Sequence, residues 1–271
     1  MFELEISYQN KEEKDINFPG GKIGILKKIL ESISEIVDHV EIKTREHGIE
    51  MQVMDSMHAV LIDVLLDKAL FDKYRCDRDI TLGIKIKSFL TILRDISFTP
   101  DSVLHMSCED SPTKMSLLYK QPGYKLNWDL SLYSYDTEVF SIPQMEYTTE
   151  VKMTTQQFQV LPKLVGIFGE FISIDTSKDM IIFKQVGDTT SASMTLKNKT
   201  EEDEEPNGVE INVSIPIKRE IAMKYISTIS KVVPLCSSVK IFMGEESPIF
   251  FDLSIHELGH MRYYIAPKVE N

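Results

Sequence analysis

Hydrophobic residues recur at three- and four-residue intervals in four segments of the chain. In the first segment, residues 24–37, Ile29 and Ile33 fall on one stripe, a spacing typical of an amphipathic α-helix packed along one face. The other three helices are predicted at residues 85–95, 155–168 and 218–232. Pro162 lies inside the third segment, where proline removes a backbone hydrogen bond, so we expect this helix to be kinked or to begin later.

Between the helices, short runs bounded by turn residues alternate between apolar and polar positions or are largely apolar. The runs "GIEMQVMD", "AVLIDVLL", "SVLHMSCE", "KMSLLYK", "FISIDTS", "MIIFKQV", "VEINVSI" and "PIFFDLSI" predict antiparallel β-strands. The first and third helical segments begin roughly 130 residues apart, as do the second and fourth, so one half of the chain repeats the other. We therefore expect an α+β fold of two similar domains, each with two helices on an antiparallel sheet. The predicted boundaries are 1–131 for the N-terminal domain, 132–148 for a connector and 149–271 for the C-terminal domain.

Charge is distributed unevenly along the chain. The 271 residues carry a formal net charge of −12, which argues against general adhesion to nucleic acid or to anionic membranes. Counted over residues 22–37, 85–95, 155–168 and 218–232, each of the four helical segments is nevertheless net positive. The residues predicted to share a polar helix face are Lys87, Thr91 and Arg94 on the second helix, and Lys224, Ser227, Thr228 and Lys231 on the fourth. Basic stripes with hydroxyl neighbours suit contact with a nucleic-acid backbone without sequence readout.

Two short motifs suggest chemistry that their surroundings do not support. "HELGH", residues 256–260, fits the H-E-x-x-H pattern of zinc proteases, but that pattern requires a helix and the flanking sequence is β-rich. Its extended form also lacks a third ligand, because Ala266 stands where a histidine is required. "GGK", residues 20–22, lacks the Ser or Thr of a phosphate-binding loop. The three cysteines lack metal-binding spacing, so no metal is expected. No apolar run is long enough to span a bilayer, so no membrane partner is expected. Because neither short motif is supported, no enzyme activity or cofactor is expected either.

Five further motifs occur in order along the chain. They are "GIEMQVMDSMHAVLIDVLL" from Gly48, "YRCDR" from Tyr74, "SIPQMEY" from Ser141, "KVVPLCSSV" from Lys231 and "GHMRYYIAPKVE" from Gly259. Together they closely resemble the proliferating cell nuclear antigen family, the eukaryotic DNA sliding clamps. The resemblance implies a nuclear, homotrimeric processivity factor, in which three chains close a ring with helices lining the hole and sheets forming the outer shell. The stretch around residues 9–22 departs from the family, and we predict a lengthened hairpin there.

The helix stripes and the resemblance together assign the functional residues. Contact with DNA in the hole is expected from Lys27, Lys28, Lys87, Arg94, Lys163, Lys224 and Lys231. A groove for short client motifs is expected from Met54, His58, Leu61, Phe140, Ile142, Pro248, Tyr264, Ile265, Ala266 and Pro267. The resemblance places subunit contacts on the edge strands around residues 123–131 and 189–197, with Trp128 as an interface anchor, and Lys178 at a ubiquitin-type modification site.

The resemblance also implies partners. These are duplex DNA, contacted without sequence preference, two further copies of the chain, and DNA polymerases, the clamp loader, flap endonuclease and DNA ligase, bound through short docking motifs. Two alternatives stay open at this point. One is a subunit of a heterotrimeric checkpoint-type clamp, and the other is a zinc metalloprotease built on the "HELGH" motif.

Overall fold

The computed structural model describes residues 1–8, 18, 20–96, 99–135, 140–166, 168–199 and 209–268. These residues form four α-helices, which are α1 (Gly21–Ile33), α2 (Ile86–Asp95), α3 (Thr155–Val160) and α4 (Met223–Val232). Nine strands precede residue 132, which are β1 (Phe2–Ser7), β2 (His39–Arg45), β3 (Gly48–Met54), β4 (Val60–Asp67), β5 (Lys73–Cys76), β6 (Ile80–Lys85), β7 (Val103–Cys108), β8 (Lys114–Gln121) and β9 (Tyr124–Ser131). Nine more follow in the described part, which are β10 (Thr149–Thr154), β11 (Phe171–Thr176), β12 (Met180–Val186), β13 (Ser191–Lys197), β14 (Glu210–Val213), β15 (Ile217–Ala222), β16 (Ser238–Met243), β17 (Ile249–Ser254) and β18 (Gly259–Ile265). None of the described helices is long and apolar enough to cross a membrane.

The chain forms two compact units, the first of which comprises Met1–Ser56, Ile62–Phe140 and His256–His260. Five of its strands form an antiparallel sheet in the order β5-β1-β7-β8-β9. Four others follow the order β4-β3-β2-β6, with β2 antiparallel to both β3 and β6. Helices α1 and α2 contact each other, α1 contacts β1, and α2 contacts β6 and β9. This unit therefore has the two-helix, antiparallel α+β organisation predicted from the sequence.

The second unit comprises Met57–Leu61, Ser141–Ile255 and Met261–Asn271. Its strands follow the orders β14-β10-β16-β17-β18 and β13-β12-β11-β15. Lowering each strand number by nine gives the orders of the first unit, so the two units share one topology. The predicted duplication and fold class are confirmed, because each half of the chain is the same arrangement of antiparallel strands and two helices.

Alternating and helical hydrophobic patterns both lead to buried side chains. In β4 the residues Val60, Ile62, Val64 and Leu66 are all buried while their neighbours are partly exposed, as expected for a strand with one face toward a core. In α1 the predicted stripe is confirmed, since Ile25, Ile29 and Ile33 are completely buried. Burying a side chain of this size contributes about 1.5–3 kcal/mol, which explains why the pattern fixes the orientation of each element.

The third helix begins at Thr155, as predicted, because the residue before it caps it. The Thr154 hydroxyl accepts a hydrogen bond from the backbone N–H of Gln157 at 3.2 Å. In return, the Gln157 side-chain oxygen accepts one from the backbone N–H of Thr154 at 2.9 Å. This reciprocal capping box satisfies backbone donors that a helix start otherwise leaves without partners.

The predicted kink at Pro162 takes the form of a change in helix type. Regular α-helix ends at Val160, and Leu161–Val165 forms a π-helical turn. Proline has no N–H to donate to a carbonyl of the preceding turn, so the regular α-helical hydrogen-bond pattern stops there. The chain recovers with a wider bond, in which the N–H of Gly166 donates to the carbonyl of Leu161 at 2.9 Å, five residues back.

Three other helix boundaries differ from the prediction, one of which is the beginning of the first helix at Gly21 instead of residue 24. The fourth helix begins at Met223 instead of residue 218, because Ile217–Ala222 forms strand β15 and pairs antiparallel with β11. In that strand Ile217 and Ile221 are buried, and β-branched residues favour strands. The first helix ends at Ile33 instead of residue 37, and a turn follows in which the N–H of Val37 donates to the Ile33 carbonyl at 3.0 Å.

The connector predicted at 132–148 is anchored at each end by a backbone hydrogen bond. The N–H of Tyr133 donates to the Gly83 carbonyl at 2.9 Å in the first unit, and the N–H of Thr148 donates to the Met243 carbonyl at 3.0 Å in the second. The two units divide at Phe140 and Ser141. The predicted domain boundaries stay a prediction. The predicted N-terminal hairpin falls largely on residues 9–17 and 19, outside the described residues.

Candidate functional site

The basic residues predicted on the first unit lie on its two adjacent helices. Lys27 and Lys28 are partly exposed on α1, opposite its buried stripe. Lys87 and Arg94 are exposed near the two ends of α2, and Thr91 is exposed between them. The Thr91 hydroxyl donates to the Lys87 carbonyl at 2.8 Å. The helical periods of the core therefore leave these lysines and this arginine on the solvent side, as the sequence predicted.

Lys87 of α2 pairs with a carboxylate. The Lys87 ammonium donates a hydrogen bond to Asp38 Oδ1 at 2.7 Å, and both side chains are mostly exposed, at 69% and 59%. The hydrogen bond and the positive charge of Lys87 lower the pKa of Asp38 below its ordinary value. Sequence reasoning missed this pair, because Asp38 is distant from Lys87 in the chain and precedes strand β2 instead of belonging to a helix.

The second unit presents its basic residues on equivalent elements. Lys163 is exposed on the π-helical turn, and Lys224 and Lys231 are exposed on α4. The Lys224 ammonium lies 4.6 Å from the centre of the Tyr225 ring, a cation–π distance. The prediction that Thr228 shares the exposed face is wrong, because Thr228 is buried and its hydroxyl donates to the Lys224 carbonyl at 2.9 Å.

None of the four helices, as far as the structure describes them, has an acidic residue in its first turn. Acidic residues are favoured there because they interact well with the positive end of the helix dipole. Their absence, together with the lysines and Arg94, leaves α1, α2 and α4 net positive within a chain of net charge −12, and Lys163 follows α3 on the π-helical turn. A positively charged surface of this kind attracts the phosphates of a nucleic-acid backbone.

Eight of the residues predicted to dock client motifs belong to the second unit. His58 and Ala266 are exposed, and Leu61, Ile142, Pro248, Tyr264 and Pro267 are partly exposed. The N–H of Ala266 donates to the Ala59 carbonyl at 2.9 Å, which holds the segment after β18 beside residues 57–61. Ile265 is completely buried in β18, so the prediction that its side chain contributes to a docking surface is wrong. Alternation along the strand explains this, since its neighbours Tyr264 and Ala266 point outward.

The other two predicted docking residues, Met54 and Phe140, belong to the first unit and are partly exposed there. The backbone N–H of Phe140 donates to the Gln52 side-chain oxygen at 2.8 Å. This bond holds Phe140 against β3, the strand that also carries Met54. The two residues therefore share a strand neighbourhood in the first unit.

A row of aromatic rings on the second unit was missed by sequence reasoning. Tyr264 stacks on Phe250 with ring centres 4.6 Å apart and planes 4° apart, and Phe250 stacks on Phe242 at 5.1 Å. Tyr147 adds a fourth ring, 5.7 Å from Phe242. Burial raises the pKa of the Tyr147 hydroxyl to about 12. The signal was present as aromatic residues at outward positions of the neighbouring strands β16, β17 and β18.

The strands predicted at the subunit contacts are both at the ends of their sheets. In the first unit β9 is the last strand of its sheet, and most of its residues are exposed. Trp128 is partly exposed and lies opposite Leu117 of β8. In the second unit β13 is the first strand of the four-stranded sheet β13-β12-β11-β15. Edge strands present backbone groups that readily pair with a further strand.

Lys178, the predicted modification site, is exposed in the turn between β11 and β12. Its carbonyl accepts a hydrogen bond from the Asn198 side-chain amide at 3.0 Å. The backbone is thus held in place while the ammonium group faces solvent.

The "HELGH" motif does not form a zinc-protease site. His256–Leu258 is a single 3₁₀ turn and Gly259–Ile265 is a strand, whereas the motif needs two histidines one turn apart on an α-helix. His260 instead lies 3.4 Å from Asp63 Oδ2. The described residues contain no group of three or more His, Cys, Asp or Glu side chains that could hold a metal ion.

The chain thus contains two copies of one antiparallel two-helix domain, with basic residues on the solvent side of its helical segments. Residues 20–141 match the family described as "Proliferating cell nuclear antigen, N-terminal domain", and residues 141–268 match the corresponding C-terminal domain. The chain belongs to the proliferating cell nuclear antigen family. It is 30% identical over 249 residues to proliferating cell nuclear antigen 2 of Drosophila melanogaster, covering 91% of this chain and 95% of that one. It is 29% identical over 247 residues to proliferating cell nuclear antigen of Chaetomium thermophilum, with 90% and 95% covered.

Membership of this family establishes the class of function. The chain is a non-catalytic DNA sliding clamp, a processivity factor of DNA replication and repair. Family membership does not assign the individual residues that contact DNA, other subunits or client proteins.

Proposed function

We propose that three copies of this chain close a ring in the nucleus, encircle duplex DNA and tether DNA polymerases and other replication and repair proteins to it. The observation that carries this proposal is the positive surface of the helices within an acidic chain. Lys27, Lys28, Lys87, Arg94, Lys163, Lys224 and Lys231 are the proposed DNA contacts. A ring that cannot leave DNA sideways needs only weak contacts to phosphates, and such contacts are independent of sequence.

The proposed ring has room for a duplex. Three chains would contribute twelve helices, and at roughly 10 Å between neighbouring axes they would line a circumference of about 120 Å. Subtracting the thickness of the helices leaves a hole about 28 Å wide. A DNA duplex passes through such a hole with water around it, which favours sliding over tight binding.

The exposed edge strands support closure by copies of the same chain. Strands β9 and β13 end their sheets in different units, so one copy's β9 has a complementary edge in the β13 of the next copy. This head-to-tail contact uses two different surfaces and closes a ring when the rotation between copies fits. Trp128 on β9 is the proposed anchor of the contact.

Size-exclusion chromatography with light scattering tests the ring. We expect a mass of about 93 kDa, three times the chain mass of 31.1 kDa, and a shift toward monomer for Trp128→Ala. A wild-type chain that stays monomeric alone contradicts the homotrimer and supports the alternative, a subunit of a heterotrimeric checkpoint-type clamp. Met57→Ala, a change of a 74% exposed residue that belongs to neither β9 nor β13, is the control and should leave the mass unchanged.

Client docking is proposed on the outer surface formed by Leu61, Ile142, Pro248, Tyr264 and Pro267 of the second unit, with His58 and Ala266 beside them. The proposed clients are DNA polymerases, the clamp loader, flap endonuclease and DNA ligase, each presenting a short motif with a glutamine and apolar and aromatic anchors. Partly exposed apolar side chains on a polar surface support this role. Met54 and Phe140 of the first unit are proposed to contribute contacts of their own, and Lys178 is proposed as a site for ubiquitin or its relatives.

A further inference from the structure

The ion pair between Asp38 and Lys87 lies at the beginning of a helix proposed to face DNA. Lys87 is the second residue of α2, and the first, Ile86, donates its backbone N–H to the Asp38 carbonyl at 3.0 Å. Asp38 is also held from the other side, because the turn after α1 is closed by the Val37 to Ile33 backbone bond. The Asp38 backbone is therefore held beside the beginning of α2, which places its side chain within reach of Lys87.

The pair is open to competition from solvent. Its Nζ–Oδ1 distance is 2.7 Å, and the two side chains are 69% and 59% exposed. Exposed pairs of this kind are weak, because water screens the charges and two flexible side chains must be held in place. A phosphate oxygen of DNA can reach the same ammonium group and replace the carboxylate.

The charges around the pair define what DNA would meet there. Lys85 and His39 lie near Asp38 and favour its ionised form, and His39 pairs with Lys85 in the register of β2 and β6. Helix α2 has no acidic residue in its own first turn. Asp38 is thus a negative charge supplied from outside the helix to an end that is otherwise positive.

We propose that the Asp38 carboxylate competes with DNA phosphates for Lys87 and so weakens the contact of α2 with DNA. This inference rests on the proposed function, since it needs α2 to face duplex DNA. A phosphate must displace the carboxylate to contact Lys87, and the displaced carboxylate repels the phosphate from close range. A closed ring would contain three such pairs. Because the ring itself prevents escape, weakening each contact favours sliding without loss of the DNA.

The test compares DNA binding of four full-length proteins, which are wild type, Asp38→Asn, Lys87→Ala and the double variant. A short duplex is titrated at several salt concentrations and followed by fluorescence anisotropy. Asp38→Asn should tighten binding about two- to fivefold, the range typical of a surface ion pair, and should steepen the dependence of affinity on salt. In the Lys87→Ala background the same change should have a smaller effect, because the competitor has lost its target.

Glu210→Gln is the matched control. Glu210 pairs with Lys152 at 3.1 Å on strands β14 and β10 of the second unit, so the change removes one exposed carboxylate from a lysine that is not on a helix. It alters net charge as much as Asp38→Asn does, and it should leave DNA affinity unchanged. Equal effects of the two changes, or an Asp38→Asn effect that persists fully without Lys87, would overturn the proposal.

Failure of the underlying function gives a different result. A variant protein with four lysines changed to alanine, which are Lys27, Lys28, Lys224 and Lys231, tests this. If it binds the duplex as tightly as the wild type does, the helices do not face DNA, and both proposals are wrong. If that variant binds weakly while Asp38→Asn matches wild type, the helix assignment stands and only the role of Asp38 is wrong.

Discussion

The helix pair of the first unit and the helix pair of the second occupy the same place in one topology, yet they differ locally. In the first, α1 and α2 are regular, and one lysine is paired with the carboxylate of Asp38. In the second, α3 changes to a π-helical turn at Pro162, and Lys224 lies against the ring of Tyr225. Both pairs nevertheless present basic side chains to solvent. The comparison teaches that topology and surface charge were maintained while helix regularity was not.

Topology, surface charge and helix regularity can vary separately because different residues control each of them. Buried apolar side chains such as Ile29 in α1 and Ile229 in α4 decide how a helix packs. Lysines on the opposite face barely affect packing, because they remain in water. A break in helix regularity, as at Pro162, is tolerated when neighbouring bonds replace the lost one, which the Gly166 to Leu161 bond does.

The largest expected effect comes from removing one buried aromatic ring from each unit. Phe89 of α2 and Phe158 of α3 are both completely buried, and Phe158 packs edge-on against Phe251 with ring centres 6.1 Å apart. Phe89→Ala and Phe158→Ala should each lower the free energy of unfolding by about 3–5 kcal/mol, because a cavity remains in the core. Urea denaturation followed by circular dichroism measures the change. Phe89→Leu and Phe158→Leu are the controls and should cost clearly less, whereas a loss under about 1 kcal/mol for Phe158→Ala would show that the irregular helix does not depend on its core.

The next largest effect concerns client docking, and it should differ between the two units. Ile142→Ala combined with Tyr264→Ala in the second unit should weaken binding of a client-motif peptide by about two orders of magnitude, because anchor residues carry most of the affinity of such contacts. Phe140→Ala in the first unit should weaken it less, by about tenfold. Isothermal titration calorimetry measures both.

The control for docking is Val186→Ala, which changes a 65% exposed apolar residue of β12. It should leave peptide affinity and oligomeric mass as they are in the wild type. Unchanged peptide affinity in the Ile142→Ala, Tyr264→Ala protein would remove the second unit from the proposed docking surface. A lower oligomeric mass than that of the wild type would instead show that these residues support the structure.

A smaller effect is expected from matched lysine changes in each unit. Lys27→Ala with Lys28→Ala removes two charges from α1, and Lys224→Ala with Lys231→Ala removes two from α4. Each double variant should weaken binding of a short duplex by about tenfold near 0.1 M salt and flatten the salt dependence, because fewer counterions are released from the DNA. Fluorescence anisotropy at increasing salt measures both quantities.

The control for these changes is Lys152→Ala with Lys240→Ala, two lysines on strands β10 and β16 that pair with Glu210 and Glu150. This variant loses the same charge without touching a helix. If it weakens DNA binding as much as the helix variants do, net charge alone is responsible. If only one helix variant weakens binding, the two units contribute unequally.

Sequence patterns predicted the fold class and the duplication better than they predicted contacts. Duplication, strand identity and the buried stripe of α1 followed from hydrophobic spacing, because spacing controls burial. The beginning of α4 was wrong, since "KREIA" is compatible with both helix and strand, and only pairing with β11 favours the strand. The burial of Ile265 and the Asp38–Lys87 pair depend on strand phase and on chain segments brought together by folding. Local spacing does not contain that information.

The smallest effect is expected at Pro162, the residue that makes the two helix pairs differ. Pro162→Ala restores a backbone N–H inside the third helical segment, so the π-helical turn should give way to regular α-helix. The existing turn already replaces the lost bond, and alanine makes the unfolded chain more flexible, so the net gain in stability should be at most about 1 kcal/mol. Hydrogen exchange should report greater protection of the amides of residues 162–166.

Pro234→Ala is the matched control, because Pro234 lies in the first turn of the 3₁₀ segment Val233–Leu235, where no N–H is needed. That change should destabilise the protein slightly, by about 0.4–1 kcal/mol, through the unfolded state alone. Opposite signs for the two prolines would identify Pro162 as the cause of the irregular helix, whereas equal losses would show that the π-helical turn is fixed by packing around it.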